Sequence, residues 1–368
     1  MTAIRSNAVF LPLRDKNMKN FLIYGSYGYT GQLVVELAVK EGMRPILAGR
    51  DETKLRAQAE KYQLEYRAFS LDETGKLDSA LLEVDAVLHC AGPFVLTFRQ
   101  MAEACLRTKR HYVDISGEIE GFEALAKMSD EAKQAGIMLL PGGGFDVVPS
   151  DCLAAHLKGR LPAATHFRLF IRGVGSGVSR GTAVSGVENM HRQGRIRRDG
   201  MIVQVPPAWQ ALEQDFGRGP VKTVSIGWGD VSTAYYSTGV PNIETYFAVK
   251  TSAINLLRLT RLIGPLLYTR AVRNFIQWII RWANPHGPSR MQNETGFNLM
   301  VGEMRDASRV VRTKLRVPEG YWLTMLTTVE IMKRILSGDL KTGFQTPSLA
   351  YGTDFILGFD GVEREDLQ

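Results

Sequence analysis

The chain has 368 residues, which at roughly 100 to 200 residues per domain gives two domains with buried cores and excludes a small disulfide-stapled fold. Its three cysteines, Cys90, Cys105 and Cys152, are scattered without C-x-x-C spacing, so neither a disulfide framework nor a cysteine zinc site is indicated and a reducing compartment fits. The formal charge of +7 is confined to one window: Thr245 to Asn293 holds no Asp or Glu but carries Lys250, Arg258, Arg261, Arg270, Arg273, Arg281 and Arg290. The remainder sums to zero, which counts against nucleic acid as a partner.

The opening segment MTAIRSNAVFLPLRDKNMKN has no apolar run of signal-peptide length. No stretch of about 18 uncharged apolar residues occurs, so no spanning helix is expected and the location expected is cytoplasmic. Lys19 leads almost directly into the first strand. Met18 is therefore an alternative initiator, and residues 1–17 read as an N-terminal extension.

Phe21 to Tyr24 is a short apolar run that stops at glycine, after which Leu33, Val34, Leu37 and Ala38 recur at helical spacing until Gly42. The turn between is Gly25-Ser26-Tyr27-Gly28-Tyr29-Thr30-Gly31. A glycine-rich turn between strand and helix is the pattern that lets backbone approach a pyrophosphate at a helix N-terminus, so all seven residues are candidate dinucleotide contacts. The next strand, Pro45 to Ala48, is followed by Gly49-Arg50, where the adenosine ribose is expected. An arginine there favours a 2′-phosphate, so NADP is expected over NAD. The carboxylate is displaced to Asp51, which reads as the N-cap of the helix DETKLRAQAEKY.

Further strands are expected near Leu64 to Phe69, Asp85 to His89, His111 to Ile115 and Ile137 to Leu140, separated mostly by helices. That alternation predicts a doubly wound parallel sheet of Rossmann type over residues 18–152, with ligands beyond the carboxyl ends of its strands. The turn Cys90-Ala91-Gly92-Pro93-Phe94 suits backbone lying against ribose and phosphates, although a plain turn explains it too. Ser150 or Asp151 is read first as a helix cap. Asp146 has no such role and lies where a nicotinamide ring is expected, which makes it a candidate proton donor.

Taken in order, IYGSYGYTG, LAGR, HCAGPF, YVDISGE and GFDVVPSD resemble the saccharopine dehydrogenase-like oxidoreductases, including the group of trans-acting enoyl reductases. WGDVSTAYYSTGVPNIE and TPSLAYGTDFIL extend the resemblance over most of the chain. It implies an NADP-binding Rossmann domain, a second α/β domain before the C-terminal helices, and oxidoreductase chemistry. It does not imply saccharopine as the substrate.

Thr165 to Ile171 and runs between Met201 and Val249 alternate like strands, with a helix expected over Thr182 to Arg192. Residues 153–320 are therefore expected to form an α+β substrate domain with a mostly antiparallel sheet, facing the Rossmann loops. Trp322, Met325, Leu326, Val329, Met332 and Leu336 follow helical spacing, and Thr346-Pro347 starts another helix. By resemblance, these closing helices of residues 321–368 pack back on the Rossmann domain.

Three motifs in the second half are tempting. Gly177-Val-Ser179-Arg-Gly181 has the spacing of a hydrolase nucleophile elbow but sits in a loose glycine-rich connector. Tyr246-x-x-x-Lys250 has the spacing of a short-chain dehydrogenase pair but lies in a strand-like segment far from the nucleotide unit. The segment GDVSTAYYSTG concentrates hydroxyls, which suits a half-exposed strand as well as substrate contact, and Tyr235 is its candidate proton donor. The six histidines show no metal-ligand pair, so no metal is expected. The basic run His191, Arg192, Arg195, Arg197 and Arg198 reads as a solvated face.

Residues 252–283 read as two basic amphipathic helices broken at Gly264-Pro265. In the second, Arg270, Arg273, Asn274, Gln277 and Arg281 oppose Val272, Phe275, Ile276, Ile279 and Trp282. This pattern serves a membrane surface, giving a peripheral position at the inner face of the membrane, or equally a helix pair packed on the core or a homodimer contact. The function expected is an NADP-dependent reductase acting on a C=C, C=N or C=O bond of a hydrophobic small molecule, lipid-linked ones included. An enzyme of amino-acid-derived imines and a non-catalytic nucleotide-binding scaffold remain as alternatives.

Overall fold

Phe21–Tyr24 (β1) is buried on every residue, as a parallel strand covered on both faces requires. The computed structural model describes residues 19–175, 194–251, 290–368 and the single positions 254, 269, 272, 274, 275 and 278. The N-terminal extension, the Ser179 motif, the helix expected over Thr182 to Arg192 and most of residues 252–283 lie outside them.

Around β1 stand β2 (Ile46–Gly49), β3 (Tyr66–Ala68), β4 (Ala86–His89), β5 (His111–Asp114), β6 (Met138–Leu140) and, from the far end of the chain, β15 (Gly343–Phe344). They form a seven-stranded sheet in the order β15-β6-β5-β4-β1-β2-β3, every pair parallel. Helices α1 (Tyr29–Lys40), α2 (Glu52–Tyr62), α3 (Thr74–Leu82), α4 (Phe98–Thr108), α5 (Ile119–Lys127) and α6 (Ser129–Ala135) provide the crossovers. Strand order reverses between β1 and β4, which opens a crevice above the carboxyl end of β1.

The second sheet contains β7 (His166–Val174), β10 (Ala211–Asp215), β11 (Pro220–Ile226), β12 (Asn242–Ala248), β13 (Phe297–Arg305), β14 (Val310–Pro318) and β16 (Glu363–Leu367). Its order is β10-β11-β12-β7-β13-β14-β16, and a hairpin of β8 (Gly194–Arg198) and β9 (Met201–Val205) joins at β12. All pairs are antiparallel except β12 with β7. The expected α/β architecture, a Rossmann-type sheet plus a mostly antiparallel second sheet, is thus observed.

Helix α7 (Val148–Arg160) packs on β13 and β14 and against α8 (Asp230–Thr238); the short α9 (Arg290–Thr295) leads into β13, and α10 (Gly320–Ser337) packs on α1 and β4. One apolar core runs through both sheets, including Val34, Leu88, Leu157, Met300, Leu323 and Ile331. Each such side chain contributes roughly 1.5–3 kcal/mol by leaving water, against under about 1 kcal/mol for an exposed ion pair. Burial therefore holds the two layers together.

Several local expectations are corrected. Asp230–Thr238 is a helix rather than a strand. Neither Ser150 nor Asp151 caps α7: Ser150 Oγ donates to the Val147 carbonyl, and Asp151 Oδ2 accepts from the Ser348 amide at the start of α11 (Pro347–Tyr351). Strands β15 and β16 are additional, so residues 321–368 serve both sheets. Tyr246 is wholly buried, its ring stacked 5.0 Å from Phe170 and its hydroxyl 2.8 Å from Glu244 Oε2, while Lys250 is exposed. The pair is structural.

Candidate active site

The crevice is built first from the glycine turn. Gly25 adopts φ +83°, which L side chains rarely tolerate. A Cβ on Gly31 would lie 2.4 Å from the Gly25 carbonyl oxygen, so α1 can start this close to the turn only with glycine there. Gly28 precedes α1 without a side-chain cap, and no acidic residue occupies its first turn. Ser26 is fully buried, with no partner for Oγ among the described residues. Uncovered amides at a helix start, a backbone cradle and an unpartnered hydroxyl fit a pyrophosphate.

The two tyrosines of the turn are anchored by protein. Tyr29 meets Tyr321 of α10 edge-on at 4.9 Å. Tyr27 Oη accepts from the amides of Arg50 and Asp51, each at 3.2 Å. Thr30 is half-buried on the first turn of α1. Arg50 is exposed. Asp51 caps α2 as expected: Oδ1 accepts from the Lys54 amide at 3.1 Å and Oδ2 pairs with Lys54 Nζ at 2.7 Å.

Beyond β4, the Cys90 amide donates to the Tyr24 carbonyl at 2.8 Å, and the amide nitrogen of Ala91 would lie 3.0 Å from a Cβ on Gly25. The Gly92–Pro93 bond is cis. These residues flank the glycine turn. Burial, with Asp114 nearby, raises the Cys90 thiol well above its ordinary range, so it is no thiolate nucleophile. Glu118 accepts from the amides of Phe94 at 3.1 Å and Val95 at 2.6 Å. It thereby ties the loop after β4 to the loop after β5.

A second tie joins β5 to β6. Asp114 is buried; Oδ1 accepts from the Ser116 and Gly142 amides at 2.9 and 2.8 Å, and Oδ2 from the Tyr112 hydroxyl at 2.6 Å. Burial raises its carboxyl to about 6 despite these donors. The loop after β6 is then gripped by α10: the Phe145 amide donates to Thr324 Oγ1 at 3.0 Å, and Thr327 Oγ1 to the Gly143 carbonyl at 2.8 Å.

Asp146 rides on that loop. Its Oδ2 would lie 2.7 Å from a Cβ on Gly117, so the carboxyl rests against the loop after β5. Trp228, ahead of α8, donates from Nε1 to the Asp146 carbonyl oxygen at 2.9 Å. Burial, and secondarily the Glu118 carboxylate, pushes Asp146 up to about 7. It can hold a proton near neutral pH, as a general acid must.

The hydroxyl-rich segment is spent elsewhere. Ser232 Oγ and Tyr236 Oη donate to Glu123 of α5 at 2.7 and 3.0 Å, and Arg197 pairs with the same carboxylate. Tyr235 lies beneath the Arg197 guanidinium, 4.1 Å from ring centroid to Cζ, near the turn at Gly200. The structure does not bring Tyr235 and Asp146 into contact. The basic run is corrected in part: Arg197 is 3% exposed on Glu123 and Arg195 meets Glu120 at 2.7 Å, whereas Arg198 is exposed and His191 and Arg192 lie outside the described residues. Among the described residues no cluster of three His, Cys, Asp or Glu is placed to hold a metal, and no helix is long and apolar enough to cross a membrane.

Glu118 and Trp228 stand in the YVDISGE and WGDVSTAYYSTGVPNIE motifs, where the sequence alone assigns them no role. Their signal was a polar or indole group beside glycine at a strand exit. Thr324 and Thr327 carry no such signal, being part of an apolar helix.

A parallel sheet with a glycine turn at its switch point, faced by a second sheet, defines the dinucleotide-binding Rossmann class. Residues 21–140 match the saccharopine dehydrogenase NADP binding domain. The chain is 26% identical over 204 residues to the human saccharopine dehydrogenase-like oxidoreductase, covering 49% of this chain and 48% of that one. With the trans-acting enoyl reductase of Mycobacterium leprae it shares 30% identity over 157 residues, 40% and 37% of the two chains. The matches span about half or less of these relatives. The fold matches apo saccharopine dehydrogenase (L-Glu forming) from Saccharomyces cerevisiae with a TM-score of 0.66 at 14% identity, over 95% of this chain and 100% of that one.

Proposed function

We propose that the protein is an NADP-dependent oxidoreductase that reduces a C=C, C=N or C=O bond of a hydrophobic small molecule. The observation that carries this reading is the convergence at one end of the parallel sheet of the glycine turn, the Arg50 corner and Asp146. Gly25, Gly28, Gly31, Ser26 and the Cys90 to Pro93 turn would hold the pyrophosphate and ribose. Arg50 would face the 2′-phosphate, beside an Asp51 carboxylate that caps α2 and is partly neutralised by the Lys54 ammonium. Bound there, NADPH supplies hydride chemistry.

The chain's own contribution is a held proton on a fixed turn. Asp146 keeps its carboxyl protonated near neutral pH and presents it beside Gly117, where it would neutralise charge developing on a reduced substrate. Trp228 fixes the turn that carries it. Tyr235, stacked under Arg197, supports a structural role instead. The imine alternative needs free cations for substrate carboxylates; Arg195 and Arg197 are both tied to α5 glutamates and do not supply them. The enoyl reductase relative supports a C=C bond as the first substrate class to try.

The test has two arms. Titration should show clear preference for NADPH over NADH, lost in Arg50→Ala; equal affinity in the wild type would remove the cofactor reading. NADPH oxidation should then be followed with long-chain α,β-unsaturated thioesters, ketones and imines. No oxidation above background with any of them leaves the scaffold alternative.

A further inference from the structure

The phenol of Tyr27 occupies an unusual place. Its ring lies against the end of β2, so close that a Cβ on Gly49 would approach Cε1 to 2.5 Å, and Lys54 Nζ stands 5.6 Å from its centroid. Its oxygen accepts from two consecutive amides, Arg50 and Asp51, at 3.2 Å each. A phenolic oxygen has two acceptor sites and one hydrogen. With both acceptor sites taken, the hydroxyl has only its proton to offer, and no acceptor for it stands among the described residues.

The rest of the corner carries net positive character. The Arg50 guanidinium makes no ion pair among the described residues. Both Asp51 oxygens are engaged by Lys54. Gln58 Nε2 donates to the Ser26 carbonyl at 3.0 Å, fixing the glycine turn against α2. Apart from the buried Gln58 Oε1 and the Asp51 carboxylate that Lys54 partly neutralises, the corner therefore presents donors and positive charge: a phenol O–H and a guanidinium, with the Lys54 ammonium beside them. A ribose diol carries hydroxyl hydrogens that need acceptors, whereas a phosphate monoester has acceptor oxygens and negative charge.

We infer that Tyr27 is a specificity-determining residue that donates its hydroxyl hydrogen to the 2′-phosphate of NADP(H), sharing that group with Arg50. This rests on the reading that the glycine turn binds NADP(H). It assigns to the turn the task of telling NADP from NAD, in addition to holding the pyrophosphate.

The experiment compares 2′,5′-ADP with 5′-ADP by calorimetric titration of the full chain, which needs no turnover. Wild type should favour 2′,5′-ADP, and Tyr27→Phe should lose about tenfold or more of that preference, as expected for a hydrogen bond to a charged acceptor, while its 5′-ADP affinity holds. If wild type shows no preference, the NADP reading itself fails. If wild type prefers 2′,5′-ADP and Tyr27→Phe keeps the preference undiminished, only the role of Tyr27 is overturned. Should the variant not fold, wild-type protein labelled with 3-fluorotyrosine decides: one fluorine resonance should move with 2′,5′-ADP and not with 5′-ADP. Identical responses to the two ligands overturn the inference.

Discussion

The indole Nε1–H of Trp228 donates to the backbone carbonyl of Asp146 across 2.9 Å, so a residue from the second sheet's side holds the turn that carries the proposed acid. Gly229, next along, would meet the Gly117 carbonyl oxygen at 3.1 Å were it given a Cβ. The proposed acid is thus gripped between the loop after β5 and the segment entering α8. Trp228→Phe keeps the bulk and removes the donor. Turnover should fall about tenfold through loss of positioning, with NADPH affinity unchanged in a binding titration; a parallel loss of affinity would mean that the tryptophan supports the whole nucleotide site.

The raised carboxyl of Asp146 fixes the sign of a pH effect. It is protonated below about 7 and ionised above, so an acid role predicts turnover that falls as pH rises through about 7. Asp146→Asn should abolish most activity and remove that limb. Stability follows the same sign: the folded protein holds this proton more tightly than the unfolded chain, so the contribution is complete below the ordinary carboxylate range and is lost as pH rises toward 7. Thermal melts should therefore show Asp146→Asn gaining on wild type at pH 8 relative to pH 5.

Asp230 offers an independent case. It is fully buried, with the Ser150 hydroxyl beside its carboxyl. Burial raises it well above the ordinary value, with Asp151 and Asp146 adding to the effect against Ser150. Such a group is kept neutral by its surroundings. Asp230→Asn should melt near wild type at pH 5 and above it at pH 8, and an equal shift at both pH values would show that the carboxyl is not protonated in the fold.

Arg197 predicts a large structural cost. Its Nε donates to the Val231 carbonyl at 2.8 Å and Nη1 to the Gly200 carbonyl at 2.6 Å, while Nη2 pairs with Glu123. Removing one partner of a buried pair costs about 3–5 kcal/mol. Arg197→Ala should lose that much in denaturant unfolding, and Arg197→Lys should recover little, because one ammonium cannot reproduce a three-way planar fork.

For the acid-free window the proposed partner is an anionic lipid surface. Phe275 and Trp278 are 60% and 63% exposed, and their rings stack 6.1 Å apart at 18°, within a segment carrying seven cations and no acid. Interfacial binding uses aromatic insertion together with basic attraction. Phosphatidylserine vesicles should sediment the protein at low salt, less so at high salt, and not with Phe275→Ala/Trp278→Ala. No sedimentation at low salt removes lipid as the partner and leaves a second copy of the chain, which sedimentation velocity would reveal.

Legibility in the sequence followed the physics of each part. The nucleotide sheet was readable because its strands are short, wholly apolar and punctuated by glycine, so strand, turn and helix each left a separate mark. Asp51 was readable as a cap because capping is local. The segment from Gly229 to Gly239 was not: Tyr, Thr and Ser suit strands, and only contact with Glu123 on α5, more than a hundred residues earlier, settles it as a helix. Arg197 misled for the same reason, since nothing local distinguishes a solvated arginine from one buried against a distant glutamate. Ser150 and Asp151 looked like caps, yet α7 already starts at Val148 and Asp151 is taken by the backbone at Ser348. The donor-only character of Tyr27 needed two amide distances that no spacing encodes.

The short strands β15 and β16 stitch the molecule in a particular order. Gly343–Phe344 adds to β6 of the first sheet, and Glu363–Leu367 adds to β14 of the second, so the closing stretch of chain visits both layers within twenty-five residues. On the ribosome, the nucleotide sheet emerges first but lacks its outermost strand and the covering helix α10 until nearly everything else has been made. Residues 21–140 would leave the tunnel as an unfinished sheet with an open flank beside β6. Maturation of the cofactor crevice is thereby deferred until the opposite layer has been built to close it.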